Sequence, residues 1–327
     1  MKLIAAFLVL LGASPLLADE CGLLCDKNFW ISADAASVQA EIDAGADIDA
    51  RDSNGMTALF LSLHLGSPDT TKLLLEAGAD VNARNDEGLT PLHFVNIARV
   101  LKSDLYPPSA GYLAKISLLL AAGAEVNALS NDGVSVLYLV VSLGVPEAVE
   151  ILVKAGIDVD ATPNGDWTAL HVASASNAIE GMIAPLLDGG ANVNARRHNG
   201  TTALHTAVVF RPVDAVKFLL DAGADVDAIS NNGDTALMSA ASVSSGLENL
   251  VLLIAAGADV NIVRADGWTA LHSAALEGGE AALRLLEAGA DGTLENADGD
   301  TPFDLIKDDE GLMGGAVYLA LEAASRE

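Results

Sequence analysis

One pair of residues recurs along the chain at a fixed spacing, and this regularity constrains the fold more than any other feature. A glycine is followed twelve residues later by a threonine, or once by a serine, in all eight occurrences. The steps from one threonine position to the next are 33, 45, 33, 34, 33, 34 and 32 residues. The pairs are Gly45 and Thr57, Gly78 and Thr90, Gly123 and Ser135, Gly156 and Thr168, Gly190 and Thr202, Gly223 and Thr235, Gly257 and Thr269, and Gly289 and Thr301. A period near 33 residues predicts stacked supersecondary repeats.

Each repeat reads as a loop followed by two helices. In "GADVNARNDEGLTPLH" (78–93) the first glycine can end a helix in the left-handed conformation, and Asn, Asp and the second glycine favour a turn. Thr90 can cap the next helix, and Pro91, like Pro302, stands at the first helical position. We expect a short helix such as 169–174, then an amphipathic one such as 213–222. Small residues on the first helix, which allow close stacking, are Ala173, Ala207, Ala240 and Ala274.

These repeats resemble the ankyrin repeat. The resemblance rests on "DEGLTPLH" (86–93), "HNGTTALH" (198–205), "ADGWTALH" (265–272) and the recurring "GADVNA", and it extends from about residue 28 to the end. It implies an all-α fold, an α-solenoid of about nine helix-turn-helix units joined by β-hairpin-like loops. Within a repeat domain at 19–327 we expect an N-terminal capping unit at 28–56, seven repeats over 57–300, and a C-terminal capping unit at 301–327 with a polar outer face.

Three departures from the repeat pattern stand out. About twelve extra residues separate the helices of one repeat near 99–112, "RVLKSDLYPPSAGY", either a tolerated surface insertion or a recognition element. Before Thr168 the turn glycine is expected at position 166. The chain places Asp166 there and Gly165 one residue earlier, so this turn should be altered. The signature histidine is replaced at four positions: Phe60, Tyr138, Met238 and Asp304.

The first residues have the layout of a secretory signal peptide. Lys2 precedes an apolar run, Leu3 to Leu11, and a small residue, Ala18, stands at the expected cleavage point. The run is too short to span a bilayer, so a signal peptide at 1–18 is favoured over a membrane anchor. We expect a periplasmic protein, with secretion as the alternative. In such an oxidising compartment, Cys21 and Cys25, the only cysteines, are expected to form a disulfide.

The charge balance narrows the range of partners. Lys and Arg total 17 against 45 Asp and Glu, a net charge of -28. Nucleic acid and anionic membrane surfaces need a positive footprint, so neither is expected as a partner. The acidity serves solubility or steers a basic protein toward the chain. Five of the nine arginines lie at or near the turns: Arg51, Arg84, Arg196, Arg197 and Arg264. They would make the edge formed by the turns less acidic, or they reflect a preference of the repeat for a basic residue at this position.

No pattern of catalytic residues accompanies the repeats. Nucleophile elbows, phosphate-binding loops and zinc-protease pairs are absent from the sequence, and the acidic turns lack the ligand spacing of an EF-hand. Four histidines occupy the signature position, where ankyrin repeats use them to bind neighbouring backbone: His93, His171, His205 and His272. We therefore expect no enzyme activity, no cofactor and no metal.

The resemblance places a protein-binding surface on a concave face built from hairpin tips and first helices. The positions expected there are unusually apolar for an exposed surface, and tryptophan and phenylalanine are favoured anchors. The candidate binding residues are Met56, Leu65, Leu89, Val134, Leu143, Trp167, Phe210, Val243 and Trp268. Alternatively, both tryptophans lie flat on neighbouring turns.

Three functions fit these features. The first is an exported, monomeric, non-catalytic module that binds another protein. The second is a periplasmic inhibitor or immunity protein that uses the acidic field against a basic enzyme or toxin. The third is an enzyme with an unrecognised site. The identity of the partner is not encoded in any recognisable motif.

Overall fold

A computed structural model describes residues 22–97, 111–162, 166–175, 181–210, 213–243, 246–277 and 279–326. The chain divides into two compact units, a first unit of residues 1–164 and a second unit of residues 165–327. The predicted all-α fold class is confirmed: the described residues form α-helices joined by turns, with no strand and one isolated antiparallel bridge, between Leu129 and Ser135. The predicted signal segment and residues 98–110 of the insertion lie outside the described residues.

The first unit stacks its helices in two rows. After a 3-10 turn at Leu23–Cys25 come α1 (Lys27–Ser32), α2 (Ala35–Asp43), α3 (Ala58–His64), α4 (Pro68–Glu76), α5 (Pro91–Ile97), α6 (Tyr112–Ala121), α7 (Val136–Ser142) and α8 (Pro146–Lys154). The odd-numbered helices pack on one another in order, and so do the even-numbered ones. From α3 onward, the two helices of each repeat also pack together.

The second unit repeats this arrangement. Its helices are α9 (Ala169–Ser174), α10 (Ile183–Asp188), α11 (Ala203–Phe210), α12 (Val213–Asp221), α13 (Ala236–Ala241), α14 (Leu247–Ala255), α15 (Ala270–Glu277), α16 (Glu280–Glu287) and α17 (Ala316–Ala324). The first helices α9, α11, α13 and α15 form one row, and α10, α12, α14, α16 and α17 form the other. The short helix expected at 169–174 is confirmed as α9.

The core lies between the two rows of helices. On α12 the buried side chains are Ala215, Val216 and Leu219, which recur at helical spacing on one face. Burial of a side chain such as Leu219 contributes about 1.5–3 kcal/mol. The small residues expected on the first helices are buried as predicted, Ala207, Ala240 and Ala274 among them. A larger side chain at these positions would push neighbouring helices apart.

The two ends differ in how closely they follow the expected pattern. The N-terminal helices α1 and α2 both pack on the 3-10 turn that precedes them, and buried Trp30 donates from Nε1 to the Leu24 carbonyl oxygen at 2.7 Å. At the other end, Pro302 begins a run of turns instead of the expected helix, and only α17 is helical. The polar outer face expected there is also wrong in part, because Met313 and Leu319 are exposed.

The predicted threonine caps are present in most repeats. Ser135, Thr168 and Thr235 each accept a hydrogen bond from the backbone N–H three residues on, at 3.2 or 3.3 Å. Thr57 differs from these three: it precedes α3, but its Oγ1 is buried and has no hydrogen-bond partner in the described part of the chain. The signature histidine that would contact it is replaced by Phe60, whose ring packs edge-on against Phe94.

The N-terminal cysteine region is described only in part. Cys25 ends the 3-10 turn, and its Sγ lies 3.5 Å from the Ala50 carbonyl oxygen. Cys21 lies outside the described residues. The disulfide between Cys21 and Cys25 therefore stays a prediction.

Candidate protein-binding site

Tight turns precede the first helices of the second unit and position the side chains of the candidate site. In the turn before α11, Arg197 N–H donates to the Thr201 carbonyl oxygen at 2.9 Å, and Gly200 N–H donates to the Arg197 carbonyl oxygen at 2.8 Å. Gly200 has φ of 77°, and a Cβ atom there would collide with Asn231 of the next turn. Glycine therefore serves both the turn and the close stacking of adjacent turns.

The signature histidines tie each turn to its neighbour. His205 Nδ1 accepts from Thr202 N–H at 3.2 Å, so Nε2 carries the proton and donates to the Asp234 carbonyl oxygen at 3.1 Å. Equivalent Nε2 contacts to the next turn join His93 to Val134, His171 to Thr201 and His272 to Asp300. The structural interpretation of these four histidines is confirmed. They are framework groups whose ring nitrogens are already occupied.

Burial keeps these histidines neutral. Loss of hydration lowers the pKa of His93 and of His171 to about 4, and it lowers the pKa of His205 and His272 in the same direction. A neutral ring fits the contacts just described, because protonation would place a second N–H against the threonine N–H. Among the described residues, no group of three or more His, Cys, Asp or Glu side chains could hold a metal ion.

A groove of about 290 Å³ opens on the side of the second unit where turns and first helices meet. Its lining residues are Trp167, Arg197, Thr201, Ser230, Asn232 and Asp234 from the turns, and His205, Thr206, Val209, Phe210 and Ser239 from α11 and α13. Val209 and Phe210, at the end of α11, are 51% and 50% exposed. Two adjacent half-exposed apolar side chains beside a groove form the type of surface that protein partners cover.

Trp167 is held in place by its neighbours rather than free at the surface. The guanidinium carbon of Arg197 lies 4.0 Å from the centroid of the Trp167 ring, within cation–π range. Arg197 also donates from its Nη2 to Asp166 Oδ2 at 2.7 Å, and His198 N–H donates to Asp166 Oδ1 at 2.9 Å. These contacts hold the pKa of Asp166 below its usual range. The altered turn expected at 165–166 thus supplies the carboxylate that orients Arg197, although Gly165 itself lies outside the described residues.

The structure separates the nine candidate residues into distinct environments. The expectation of an exposed position is wrong for Met56, Leu89 and Val134, which are 2–3% exposed. Burial removes these apolar side chains from water, so they belong to the core. The other six are accessible to different degrees. Leu65, Leu143, Trp167, Val243 and Trp268 are half-buried, and Phe210 is the most exposed.

Two of the predicted residues, Trp167 and Phe210, line the same groove. Trp268 lies one repeat beyond it and tilts over His272, with ring centroids 5.6 Å apart. This contact fits the alternative that a tryptophan rests on its own turn. Val243 follows α13, the helix that packs on α11.

Sequence reasoning missed the hydroxyl side chains of the groove, although a signal was present. Four residues after the first seven threonine positions, the chain places Leu61, Phe94, Leu139 and Val172, then Thr206, Ser239 and Ser273, and after the eighth it places Leu305. Thr206 and Ser239 line the groove. Of the eight side chains at this register position, these two are the ones that line the groove, and both carry a hydroxyl.

The turn arginines are engaged within the chain. Arg51, Arg84 and Arg196 each donate to a backbone carbonyl oxygen of the following turn, those of Arg84, Leu129 and Ile229. Arg264 pairs with Asp234 Oδ1 at 2.9 Å and with Asp266 Oδ2 at 3.0 Å. These contacts favour the interpretation of turn arginines as a habit of the repeat, which ties one turn to the next.

Stacked two-helix repeats, turn-to-turn histidine contacts and an open groove beside the first helices define a helical repeat protein built to present a surface. Family models for the ankyrin repeat match this chain, a three-copy model at residues 30–98, 109–197 and 177–264 and a single-repeat model at 266–297. The chain belongs to the ankyrin repeat family.

One curated relative shares the repeat over a short stretch. The chain is 37% identical over 71 residues to the mouse (Mus musculus) B-cell lymphoma 3 protein homolog. The match covers 22% of this chain and only 16% of that protein, so it supports the repeat type and no shared role. In the described residues, no helix is both long and apolar enough to cross a membrane.

Proposed function

We propose that this chain is an exported, non-catalytic ankyrin-repeat module that binds another protein through the groove of the second unit. Ankyrin repeats are generally protein–protein interaction modules, and the histidines most available for chemistry are engaged in the framework. The groove joins half-exposed apolar side chains to polar groups on rigid turns, the combination that gives an interface both affinity and orientation.

One observation carries the proposal: Val209 and Phe210 are adjacent, half-exposed and in the same groove as Trp167. Single exposed apolar residues are ordinary on soluble proteins. Here the pair ends α11, which packs on α9, α12 and α13. A partner that covers Phe210 would gain apolar burial, which favours affinity.

Export rests on the sequence of the first eighteen residues. The apolar run from Leu3 to Leu11 and the small residue at 18 support secretion across a membrane, with the periplasm as the destination and the extracellular medium as the alternative. The pair of cysteines just after this segment suits such a compartment.

A second candidate function, inhibition of a basic enzyme or toxin, draws support from the net charge of -28. An acidic protein attracts a basic one over long range and accelerates their encounter, and this attraction weakens as salt screens it. An immunity role of this type would give binding whose rate of association falls steeply with ionic strength.

The test is affinity capture from an envelope extract of the source organism, with Phe210→Asp compared against the wild-type chain. Leu319→Asp on α17 is the matched control, because Leu319 is 54% exposed and does not line the groove. We expect a protein retained by the wild type and by Leu319→Asp and lost with Phe210→Asp, at unchanged helicity. Equal retention by all three would contradict a groove-based function, and capture that is lost only at high salt would favour the inhibitor.

A further inference from the structure

We infer that the groove receives a protein segment in which a bulky apolar side chain stands next to a lysine or arginine. The inference rests on the proposed function and names the chemistry of the partner. It commits to a basic, apolar segment of another protein as the occupant, and it follows from the size of the groove, its apolar wall and the one acidic group at its edge.

The size of the groove favours a side chain over a small molecule. Its volume is about 290 Å³, and it is partly open to solvent beside α11. Sites for small molecules and cofactors usually occupy about 300–1,000 Å³ and enclose most of the ligand. A shallow opening at the lower limit of that range suits one large side chain with its backbone left outside.

The wall of the groove favours an apolar group in its centre. Trp167 offers a ring whose position is held by Arg197, and Val209 and Phe210 add two half-exposed side chains to the same lining. The hydroxyls of Thr206 and Ser239 already donate to the backbone carbonyl oxygens of Thr202 and Thr235, so a polar group inserted here would lose hydration and gain few partners. An aromatic or branched aliphatic side chain would instead bury area on Phe210 and gain from the adjacent ring.

The edge of the groove favours a cation beside that apolar group. Asp234 lines the groove, and its Oδ1 accepts from Arg264 at 2.9 Å, while its Oδ2 accepts no hydrogen bond within the described part of the chain. Its side chain is 33% exposed, so an incoming lysine or arginine can reach Oδ2. A hydrogen bond between opposite charges is stronger than one between neutral groups.

The charge around the groove disfavours an anionic segment. Arg197, which lines the groove, is already paired with Asp166, and Arg264 is paired with the groove residue Asp234. The second unit carries 24 Asp and Glu against eight Lys and Arg, a net charge of -16. An acidic segment would have to displace an existing carboxylate against this field, whereas a basic one gains from it.

The experiment measures binding of three dye-labelled Gly-Ser peptides to the full chain by fluorescence anisotropy at low salt. The first peptide has one phenylalanine between two pairs of lysines. In the second the phenylalanine is glycine, and in the third the lysines are glutamates. We expect the first peptide to bind best, and Phe210→Asp to weaken its binding about tenfold, the loss typical of an interface anchor.

Two charge variants test the cation. Asp234→Asn removes the groove carboxylate and one Arg264 pair, while Asp266→Asn removes the other Arg264 pair outside the groove. We expect the first to weaken binding of the lysine–phenylalanine peptide about threefold to tenfold, an effect lost at high salt, and the second to leave it unchanged.

Several results would overturn the inference. Equal binding of the two lysine peptides would show that charge alone attracts them and that the phenylalanine contributes nothing. Tighter binding of the glutamate peptide would show that the groove prefers an acidic segment. Equal effects of the Asp234 and Asp266 variants would remove Asp234 from the site. If no peptide binds while Phe210→Asp still abolishes capture of the natural partner, the proposed function holds and the basic, apolar partner class is wrong.

Discussion

The position just before each threonine differs between the two units. In the first unit it holds Met56, Leu89 and Val134, which are buried, whereas in the second unit Trp167, Asp234 and Trp268 remain partly exposed. Apolar side chains without polar atoms can be buried at this position, whereas an indole or a carboxylate carries polar atoms that need water or a partner. The first unit therefore uses this register position for its core, and the second unit places Trp167 and Asp234 from it in the groove.

The two units also differ in what ties their repeats together. The second unit keeps the signature histidine at three positions, His171, His205 and His272. In the first unit only His93 remains, and the buried amine of Lys115 on α6 supplies a further link. Its Nζ donates to the carbonyl oxygens of Ser62, Leu63 and Gly66, at 3.1, 3.0 and 2.6 Å, at the end of α3.

Lys115→Ala removes the link that is specific to the first unit, and we expect it to have the largest effect on stability. The side chain is 0% exposed, and its removal leaves three acceptors at a buried helix end as well as a cavity. We expect the free energy of unfolding to fall by about 3–4 kcal/mol. Urea unfolding followed by circular dichroism measures the change.

Lys72→Ala on α4 is the matched control for this variant. Lys72 is exposed, and its Nζ lies 3.6 Å from Glu76, a surface pair worth less than about 1 kcal/mol. Equal destabilisation by the two variants would contradict the role of Lys115 as the cap of α3. Burial lowers the pKa of Lys115 to about 8, so the comparison is best made at pH 7, where the amine is charged.

The repeat register predicted most of the fold, because period, turn residues and caps all point to the same structure. The same register could not predict which apolar positions are exposed. Met56 and Trp167 occupy equivalent places, and their different burial depends on side-chain volume and on Arg197, which reaches Trp167 from the next turn. The burial of Lys115 could not be predicted from the sequence either, because its three acceptors are backbone atoms about fifty residues earlier in the chain.

Acid should destabilise the histidine framework, and His171→Gln measures how much. The pKa of His171 is about 4 in the folded protein and 6.5 when unfolded, so the unfolded state takes up a proton first as pH falls. The stability that neutral His171 provides is present above pH 6.5 and declines toward pH 4, by about 2–3 kcal/mol. Glutamine does not titrate, so the variant should lack this part of the pH dependence.

The measurement is the difference in unfolding free energy between wild type and His171→Gln at pH 7 and at pH 4.5. We expect that difference to shrink as pH is lowered. His198→Gln is the control, because the His198 side chain is 74% exposed and its 3.5 Å contact with Asp166 lies at the surface. A difference that is the same at both pH values would contradict a buried, neutral His171.

The smallest effect on stability is expected for the threonine hydroxyl that precedes the first helix. It allows a direct comparison, because the same atom can be removed at the same register position in two repeats. Thr90 Oγ1 lies 2.9 Å from His93 Nδ1, whereas Thr57 Oγ1 is buried without a partner in the described part of the chain. Thr90→Val should therefore cost about 1 kcal/mol, and Thr57→Val, which removes an unsatisfied hydroxyl, should be neutral or stabilising by up to about 1 kcal/mol. Urea unfolding of the two variants under identical conditions checks the opposite signs. If both substitutions destabilise the chain equally, Thr57 has a partner in solution, and the contrast between an apolar and a histidine-linked repeat does not hold at this position.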